Sequence, residues 1–261
     1  MLRLTNSVGR RGANRPVDVV LVQRLLNPKL PKPLCPLKED GKCGPQTVFA
    51  ITEYQRRILH VTHPDGLIMP GGPTWRSLGG SVIRSAGPAP SAGSCAEALI
   101  QEPSVHAMLD VIGYSEGTND VYGMVVRGKV IEAPNPADIG KVNVIITDFS
   151  KHPDMLVQVN PKITSTAAGR YQFLYTTWTG LQMNDFTPRS QDIACVKLFI
   201  RRQMISPLLR GDFDTAVQQG CREWASLPDS TNNGKSHYGG QPARNIAQLR
   251  AKYQEALAKY G

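Results

Sequence analysis

The sequence predicts an α+β chain, mostly helical, built from two modules. Apolar residues recur at helical spacing on both sides of a stretch rich in Pro, Gly, Ser and Ala. A Val/Ile-rich segment with turn-forming breaks lies inside the second half. The 261 residues suffice for two cores, and 41% hydrophobic with 20% charged content is the composition of a folded protein.

From the N-terminus, residues 17–26 read as a helix. Val17, Val20/Leu21 and Leu25 recur at spacings of three and four, and Pro16 suits a first helical turn. A second helix is predicted from about Pro45 to Leu59, with Val48, Ile51, Tyr54, Gln55 and Ile58 on related faces. Pro70-Gly71-Gly72-Pro73 reads as a turn, and Thr74 as the N-cap of a last short helix carrying Trp75 and Leu78. Residues 1–79 thus form a three-helix domain. Small residues and prolines with little to bury then place a flexible linker at 80–96. No internal repeat or heptad is legible.

In the second domain, 97–261, the first helix runs from Ser104 to Tyr114 on a stripe of Val105, Met108/Leu109 and Ile112. Residues 122–149 predict a small hairpin or sheet with a long irregular insertion, broken at Gly128-Lys129 and Pro134-Asn135-Pro136. From Ser190 the pattern is helical again, through Ile193, Val196 and Ile200, then Phe213 and Val217, and finally Ile246, Leu249, Tyr253 and Leu257.

The net charge of +9 is unequally divided. Residues 1–80 hold twelve Lys/Arg against five Asp/Glu, and residues 97–261 hold seventeen against sixteen. A basic domain on a near-neutral one points to a polyanionic partner, or to charge kept for solubility. No zinc finger, RNA-recognition motif or aromatic–basic alternation supports nucleic acid. No stretch reaches the length of a membrane span, and Met1 to Asn6 lacks the apolar core of a secretory signal, so synthesis in the cytoplasm is expected. Five cysteines, widely spaced and without a signal peptide, argue against a disulfide framework. Cys35 and Cys43 are the pair that could bridge a loop in an oxidising compartment. With neither a CxxC pair nor an HExxH string, no metal or other cofactor is expected.

The chemistry centres on Gly113-Tyr114-Ser115-Glu116-Gly117-Thr118. An apolar helix ends at Glu116, and Gly117 suits its termination. The negative end of the helix dipole and burial against Ile112 and Tyr114 both favour the protonated carboxyl, as a general acid requires. A Glu before a Gly is by itself more often a surface residue. Asp120, four residues on, is the candidate second carboxylate. In a hydrolase the two would face each other at about 5–9.5 Å.

Ordered strings add a resemblance for each domain. Val8-Gly9, Asp18-Val19, Val22-Gln23, Leu25-Leu26-Asn27, Asp40-Gly41, Gly44-Pro45-Gln46-Thr47, Ala50-Ile51, Gln55, Pro64-Asp65-Gly66 and Pro70 to Trp75 resemble the peptidoglycan-binding three-helix family. That resemblance implies wall binding without cleavage, with Asn14, Gln23 and Gln55 as candidate contacts. In the second domain the matching strings are Tyr114 to Thr118, Phe149-Ser150 before His152-Pro153, Asn160-Pro161-Lys162, Ser165 to Leu174, Trp178, Asp185 to Asp192 and Trp224 to Pro228. Over residues 105–258, with an insertion near 131–145, they are similar to the phage lambda endolysin family.

The second resemblance implies a lysozyme-like fold and a lytic transglycosylase. Such an enzyme cleaves the MurNAc–GlcNAc β-1,4 bond of peptidoglycan without water and leaves a 1,6-anhydro-MurNAc end. It carries the single catalytic Glu onto Glu116 and implies substrate contacts at Ser115, Thr166, Gly169, Arg170, Tyr171 and Gln172. The partner is then bacterial peptidoglycan, glycan strands with their stem peptides. The enzyme would be a monomer without membrane insertion, reaching the periplasmic wall after holin-dependent release. From the residues alone, Tyr171 and Phe173 also read as core positions of a strand with Gln172 on the opposite face. Trp178 and Trp224 read as core, and His152 as a structural hydrogen-bond partner. Rival readings are a hydrolytic muramidase, a secreted antibacterial muramidase effector, and a wall-binding virion protein whose catalytic fold is dead.

Overall fold

The computed structural model describes residues 4–32, 34–79, 92–238 and 242–261. The chain divides into two compact units, Met1–Leu99 and Ile100–Gly261. In chain order the first holds β1 (Val8–Gly9), α1 (Pro16–Leu26), α2 (Pro45–Arg57), β2 (Leu67–Ile68) and α3 (Pro73–Leu78), with α4 (Ala92–Ile100) spanning the division. Residues 92–96, expected as the end of the linker, are thus helical. Their alanines favour helix wherever neighbours continue it. The rest of the expected linker, 80–91, lies outside the described residues.

Helix α1 forms where expected but shows a different face. Val17 is 82% exposed, whereas Val19, Val22, Leu25 and Leu26 are buried with Ile51, Tyr54, Ile68 and Leu78. The run from Val17 to Val22 is nearly all apolar, so periodicity alone does not fix its phase. Asp18 does. It is buried, accepting from the Thr5 and Asn6 backbone N–H groups at 2.8 and 3.0 Å and from the Thr5 hydroxyl at 2.8 Å.

Two glutamines organise this unit by the same geometry. Gln23 Nε2 lies 3.2 Å from Asp40 Oδ1, 3.2 Å from Lys42 O and 3.3 Å from Thr47 Oγ1, and its Oε1 accepts from Gly41 N–H. Gln55 Nε2 lies 2.7 Å from Asp65 Oδ1, 3.0 Å from Leu67 O and 3.2 Å from Thr74 Oγ1, and its Oε1 accepts from Gly66 N–H. The unit therefore contains a repeated Gln/Asp-Gly/Thr arrangement that the sequence reading missed. Its loops differ in length and only four residue types recur. Both glutamines are buried with their amides engaged internally, so neither has a free amide to offer the wall. Asn14 is likewise committed, with φ 51° and bonds to Gly9 N–H, Gly9 O and Gly12 O. Thr74 is not an N-cap. Gly72 holds that position, and the Thr74 hydroxyl serves Gln55. Cys35 is disulfide-bonded while Cys43 is a free thiol, so the Cys35–Cys43 bridge is not made. Spacing alone does not show which segments meet.

The second unit is mixed α+β and mostly helical: α5 (Pro103–Ser115), β3 (Lys129–Glu132), β4 (Leu156–Asn160), β5 (Ile163–Ser165), α6 (Tyr175–Gly180), α7 (Pro188–Arg201), α8 (Ile205–Leu209), α9 (Phe213–Gly220), β6 (Pro228–Asp229), β7 (Lys235–Ser236) and α10 (Ile246–Tyr260). Strands β3, β4 and β5 form an antiparallel sheet in that order, with irregular register at Val130/Glu132 and Gln158/Asn160. Residues 123–146 fold back on themselves through Val125 N–H to Val144 O and Ile146 N–H to Gly123 O, so the expected hairpin with an insertion exists. Strands β4 and β5 were not anticipated. The core helix α5 buries Val105, Met108, Leu109, Val111 and Ile112. Among the described residues no helix is long and apolar enough to cross a membrane.

Candidate active site

Helix α5 ends as its sequence dictates. Glu116 is its C-cap at φ −75°, and Gly117 follows at φ +72°, a conformation that favours glycine. Thr118 N–H donates to Gly113 O at 3.0 Å and Gly117 N–H to Tyr114 O at 3.1 Å, the pair of bonds of a Schellman motif. The last carbonyls are satisfied and the chain turns sharply, leaving the Glu116 side chain at the helix's negative end.

Three residues surround it. Ser226 Oγ lies 2.5 Å from Glu116 Oε1 and 2.9 Å from Ser115 Oγ, and the Ser115 hydroxyl donates to Ile112 O at 2.9 Å. Arg244 Nε donates to Ser115 O at 3.2 Å, and its guanidinium lies 5.5 Å from the centre of the Tyr114 ring. Burial pushes the Glu116 carboxyl up to about 7, against the Ser226 hydrogen bond and the Arg244 charge, which both pull it down. Removal from water wins, so near neutral pH the group can both give and accept a proton. Ser226 and Arg244 were not singled out from the sequence. Ser226 lies in the quoted string Trp224 to Pro228, whereas nothing marks Arg244, 128 residues beyond the glutamate.

The string from Thr166 to Gln172 does different work from that expected. Arg170 is buried and uses all five of its N–H donors. Nε bonds Asn119 O, one terminal nitrogen bonds the Tyr122 and Tyr171 hydroxyls, and the other bonds Asp110 and Asp120. No donor remains for a sugar. Arg170 instead fastens the turn after Glu116 to α5, and Thr118 Oγ1 bonds its carbonyl from the same turn. Tyr171 is also buried, its hydroxyl donating to Asp192 Oδ1 at 2.5 Å beside that of Tyr122 at 2.9 Å. A Cβ on Gly169, at φ +82°, would sit 2.3 Å from Gln191 Oε1 and 2.8 Å from Phe186 Cζ, so this glycine answers to packing rather than to a ligand.

Gln172 stands at φ 50° in a tight turn, bonding Gly169 O at 2.9 Å and Met124 O at 3.2 Å. The expected strand is replaced by this turn, closed by the bridge between Ala168 and Phe173. Thr166 Oγ1 accepts from the first N–H of α6 at 3.1 Å. Of the six expected substrate contacts, Ser115 is the one linked by hydrogen bonds to the Glu116 carboxyl, through Ser226.

Asp120, the candidate second carboxylate, is engaged by Arg170 at 2.7 Å, and its side chain is 86% exposed. His152 is buried and structural, as expected. Its Nδ1 accepts from Asp154 N–H, which leaves Nε2–H to donate to Phe173 O at 2.9 Å. Trp178 and Trp224 are core, the latter donating to Tyr171 O at 3.2 Å. Among the described residues Cys221, Asp229 and His237 bring metal-capable atoms within 4.8 Å of one another. Each is already committed: the thiol to Gln218 O, Asp229 Oδ1 to Thr231 and Gln218, and Asp229 Oδ2 to His237 Nδ1. The group braces the β6–β7 hairpin by hydrogen bonds.

Relatives place the second unit. The endolysin of Escherichia phage lambda is 34% identical over 154 residues, covering 58% of this chain and 89% of that protein. The endolysin of Escherichia phage P2 is 31% identical over 150 residues, covering 51% and 85%. A solved structure of bacteriophage lambda lysozyme complexed with a chitohexasaccharide shares 32% identity over 59% of this chain and 94% of that one, with a TM-score of 0.48. The family model described as Endolysin matches residues 106–260, from the first turn of α5 to the end of α10. Matched over more than half its length, the chain belongs to the Endolysin family.

Proposed function

We propose that this protein is a phage endolysin that degrades peptidoglycan by cutting the MurNAc–GlcNAc β-1,4 bond, with Glu116 as its one proton-transfer residue and a 1,6-anhydro-MurNAc end as product. The observation that carries this is the Glu116 carboxyl, held at a helix C-terminus and pushed up to about 7. Family membership supports the substrate class.

Protonated Glu116 gives its proton to the glycosidic oxygen as the bond to C1 breaks. The resulting carboxylate takes the proton of the sugar's own C6 hydroxyl as that oxygen bonds C1. The proton count closes on Glu116, no water is consumed, and no second carboxylate is needed. The engagement of Asp120 by Arg170 supports the one-carboxylate route over the two-carboxylate hydrolases. Mass spectrometry of digested sacculi tests this. Anhydro-muropeptides, one water lighter than hydrolysis products, are expected. Reducing-end MurNAc alone would replace transglycosylation by hydrolysis, and uncut glycan would remove the activity altogether.

For the first unit the reading is wall binding. Its support is the family strings and the excess of basic residues, with contacts other than Asn14, Gln23 and Gln55.

A further inference from the structure

A carboxyl that acts first as acid and then as base serves both roles without turning when the same oxygen faces the substrate throughout. The contacts on Glu116 select that oxygen. Oε1 is 2.5 Å from Ser226 Oγ, Ser226 Oγ is 2.9 Å from Ser115 Oγ, and Ser115 Oγ is 2.9 Å from the Ile112 carbonyl. A hydroxyl carries one proton, and a carbonyl only accepts. With the Ser115 hydroxyl donating to the Ile112 carbonyl, Ser115 Oγ is left as an acceptor, and Ser226 can direct its own O–H to Oε1 or to Ser115.

We propose that Ser226 is a positioning residue for Glu116: by donating to Oε1 it fixes the carboxyl's orientation and confines the transferable proton to Oε2, the oxygen left for the glycosidic bond. When Glu116 loses its proton the same donation persists and strengthens to a charge-assisted bond, so the carboxyl keeps its orientation between the two half-reactions. If the proton sat on Oε1 it would point at Ser226, which would turn to Ser115, and the acid would be idle.

The backbone holds the relay in register. Arg244 N–H donates to Ser226 O at 2.8 Å while Arg244 Nε reaches Ser115 O, so one residue ties the Ser226 segment to the end of α5. The charged group that acts on Glu116 is the Arg244 guanidinium, from the segment before α10, while the carboxyl in turn helps to hold the buried Cys195 thiol of α7 in its neutral form. The Arg244 Nε–H is engaged by Ser115 O, and the hydrogen bond to Oε1 comes from Ser226.

This rests on the reading of Glu116 as proton donor. The test measures sacculus lysis against pH for the full-length protein and its Ser226→Ala, Ser226→Thr and Glu116→Gln variants, with circular dichroism as a fold control. Ser226→Ala should lose about ten- to a hundred-fold in rate, the range of one hydrogen bond to a charged group. Its alkaline limb should also move upward, because the lost donor had favoured the carboxylate. Ser226→Thr should restore most of the rate and the original limb. A wild-type rate and profile in Ser226→Ala overturns the proposal. So does a fall in rate with an unmoved limb, which marks a purely structural serine. An inactive Glu116→Gln beside a wild-type-like Ser226→Ala removes Ser226 alone, whereas an active Glu116→Gln removes the reading beneath it.

Discussion

At Glu116 the forces that set proton affinity oppose one another, and their balance fixes two measurable pH dependences. As acid it must be protonated when substrate binds, so activity should fall as the pH rises through about 7. The same shift bears on stability. The folded chain holds this proton more tightly than the unfolded chain, whose carboxyl titrates near 4.5. That contribution is fully present below about pH 4.5 and is lost as the pH rises to about 7. Glu116→Gln has no proton to lose. It should melt higher than wild type at pH 8, with the difference closing towards pH 5, while activity falls by about 10²–10⁴-fold. Asp120→Asn, at an exposed position beside Arg170, should cost far less activity. A Glu116→Gln protein with more than about a tenth of wild-type activity, well above that range, would exclude Glu116 as the catalyst. A melting point unchanged at every pH would contradict its burial. The sequence made Glu116 legible because a helix stripe ends there in Glu-Gly. It misassigned Arg170 because a buried arginine and a sugar-binding one look alike until their partners are placed. Asp110 and Asp120 lie 60 and 50 residues away from it.

Between elements, the polar nodes decide which surfaces meet. Arg170 joins α5 to the turn after Glu116, and Gln191, wholly buried on α7, accepts from Arg170 N–H at 2.9 Å and bonds Tyr122 O and Phe186 O. Arg170→Lys keeps the charge but not the planar fork with five donors. It should destabilise the second unit by about 1–3 kcal/mol, the cost of leaving buried hydrogen-bond partners unsatisfied, as read in urea unfolding. A cost under about 1 kcal/mol, the range of surface pairs, would mean that the network is dispensable. Gln23→Ala and Gln55→Ala each strand a buried backbone N–H, at Gly41 or Gly66, and should cost about 1–3 kcal/mol. If either instead weakened sacculus binding with unchanged unfolding, it would be a wall contact after all. Apart from α4, part of which was expected as linker, and the short α8, the helices were legible because periodicity survives without neighbours. The phase of α1 and strands β4 and β5 were not. Asp18 reveals its role only against Thr5 and Asn6, and Leu156 to Asn160 becomes a strand only by pairing with Lys129 to Glu132 and Ile163 to Ser165. The four-residue Gln repeat was not legible for the same reason, since its meaning lies in contacts made across loops of unequal length.

At the scale of the whole chain, charge and chemistry are divided between the units. Twelve Lys/Arg against five Asp/Glu lie in residues 1–80, while the proposed catalyst sits in a near-neutral second unit. If the first unit holds the enzyme on the wall, it raises the local concentration of the second without touching the reacting bond. Arg10, Arg11 and Arg15 are exposed in the first unit, so neutralising them should leave both cores and the Glu116 group unaltered. The full-length Arg10→Gln/Arg11→Gln/Arg15→Gln protein should therefore bind sacculi more weakly and lyse them more slowly when enzyme is scarce, yet reach the wild-type rate when sacculi saturate it. Binding by the wild type should weaken with salt, because attraction between exposed charges is screened within about 8 Å at physiological ionic strength. The triple variant should show a shallower salt dependence, having fewer charges to screen. Co-sedimentation with sacculi across a salt series, using Glu116→Gln versions so that nothing is digested, measures both effects. Equal binding and equal salt dependence would show that these three arginines do not contribute to wall attraction. A fall in the saturating rate would place them in catalysis instead.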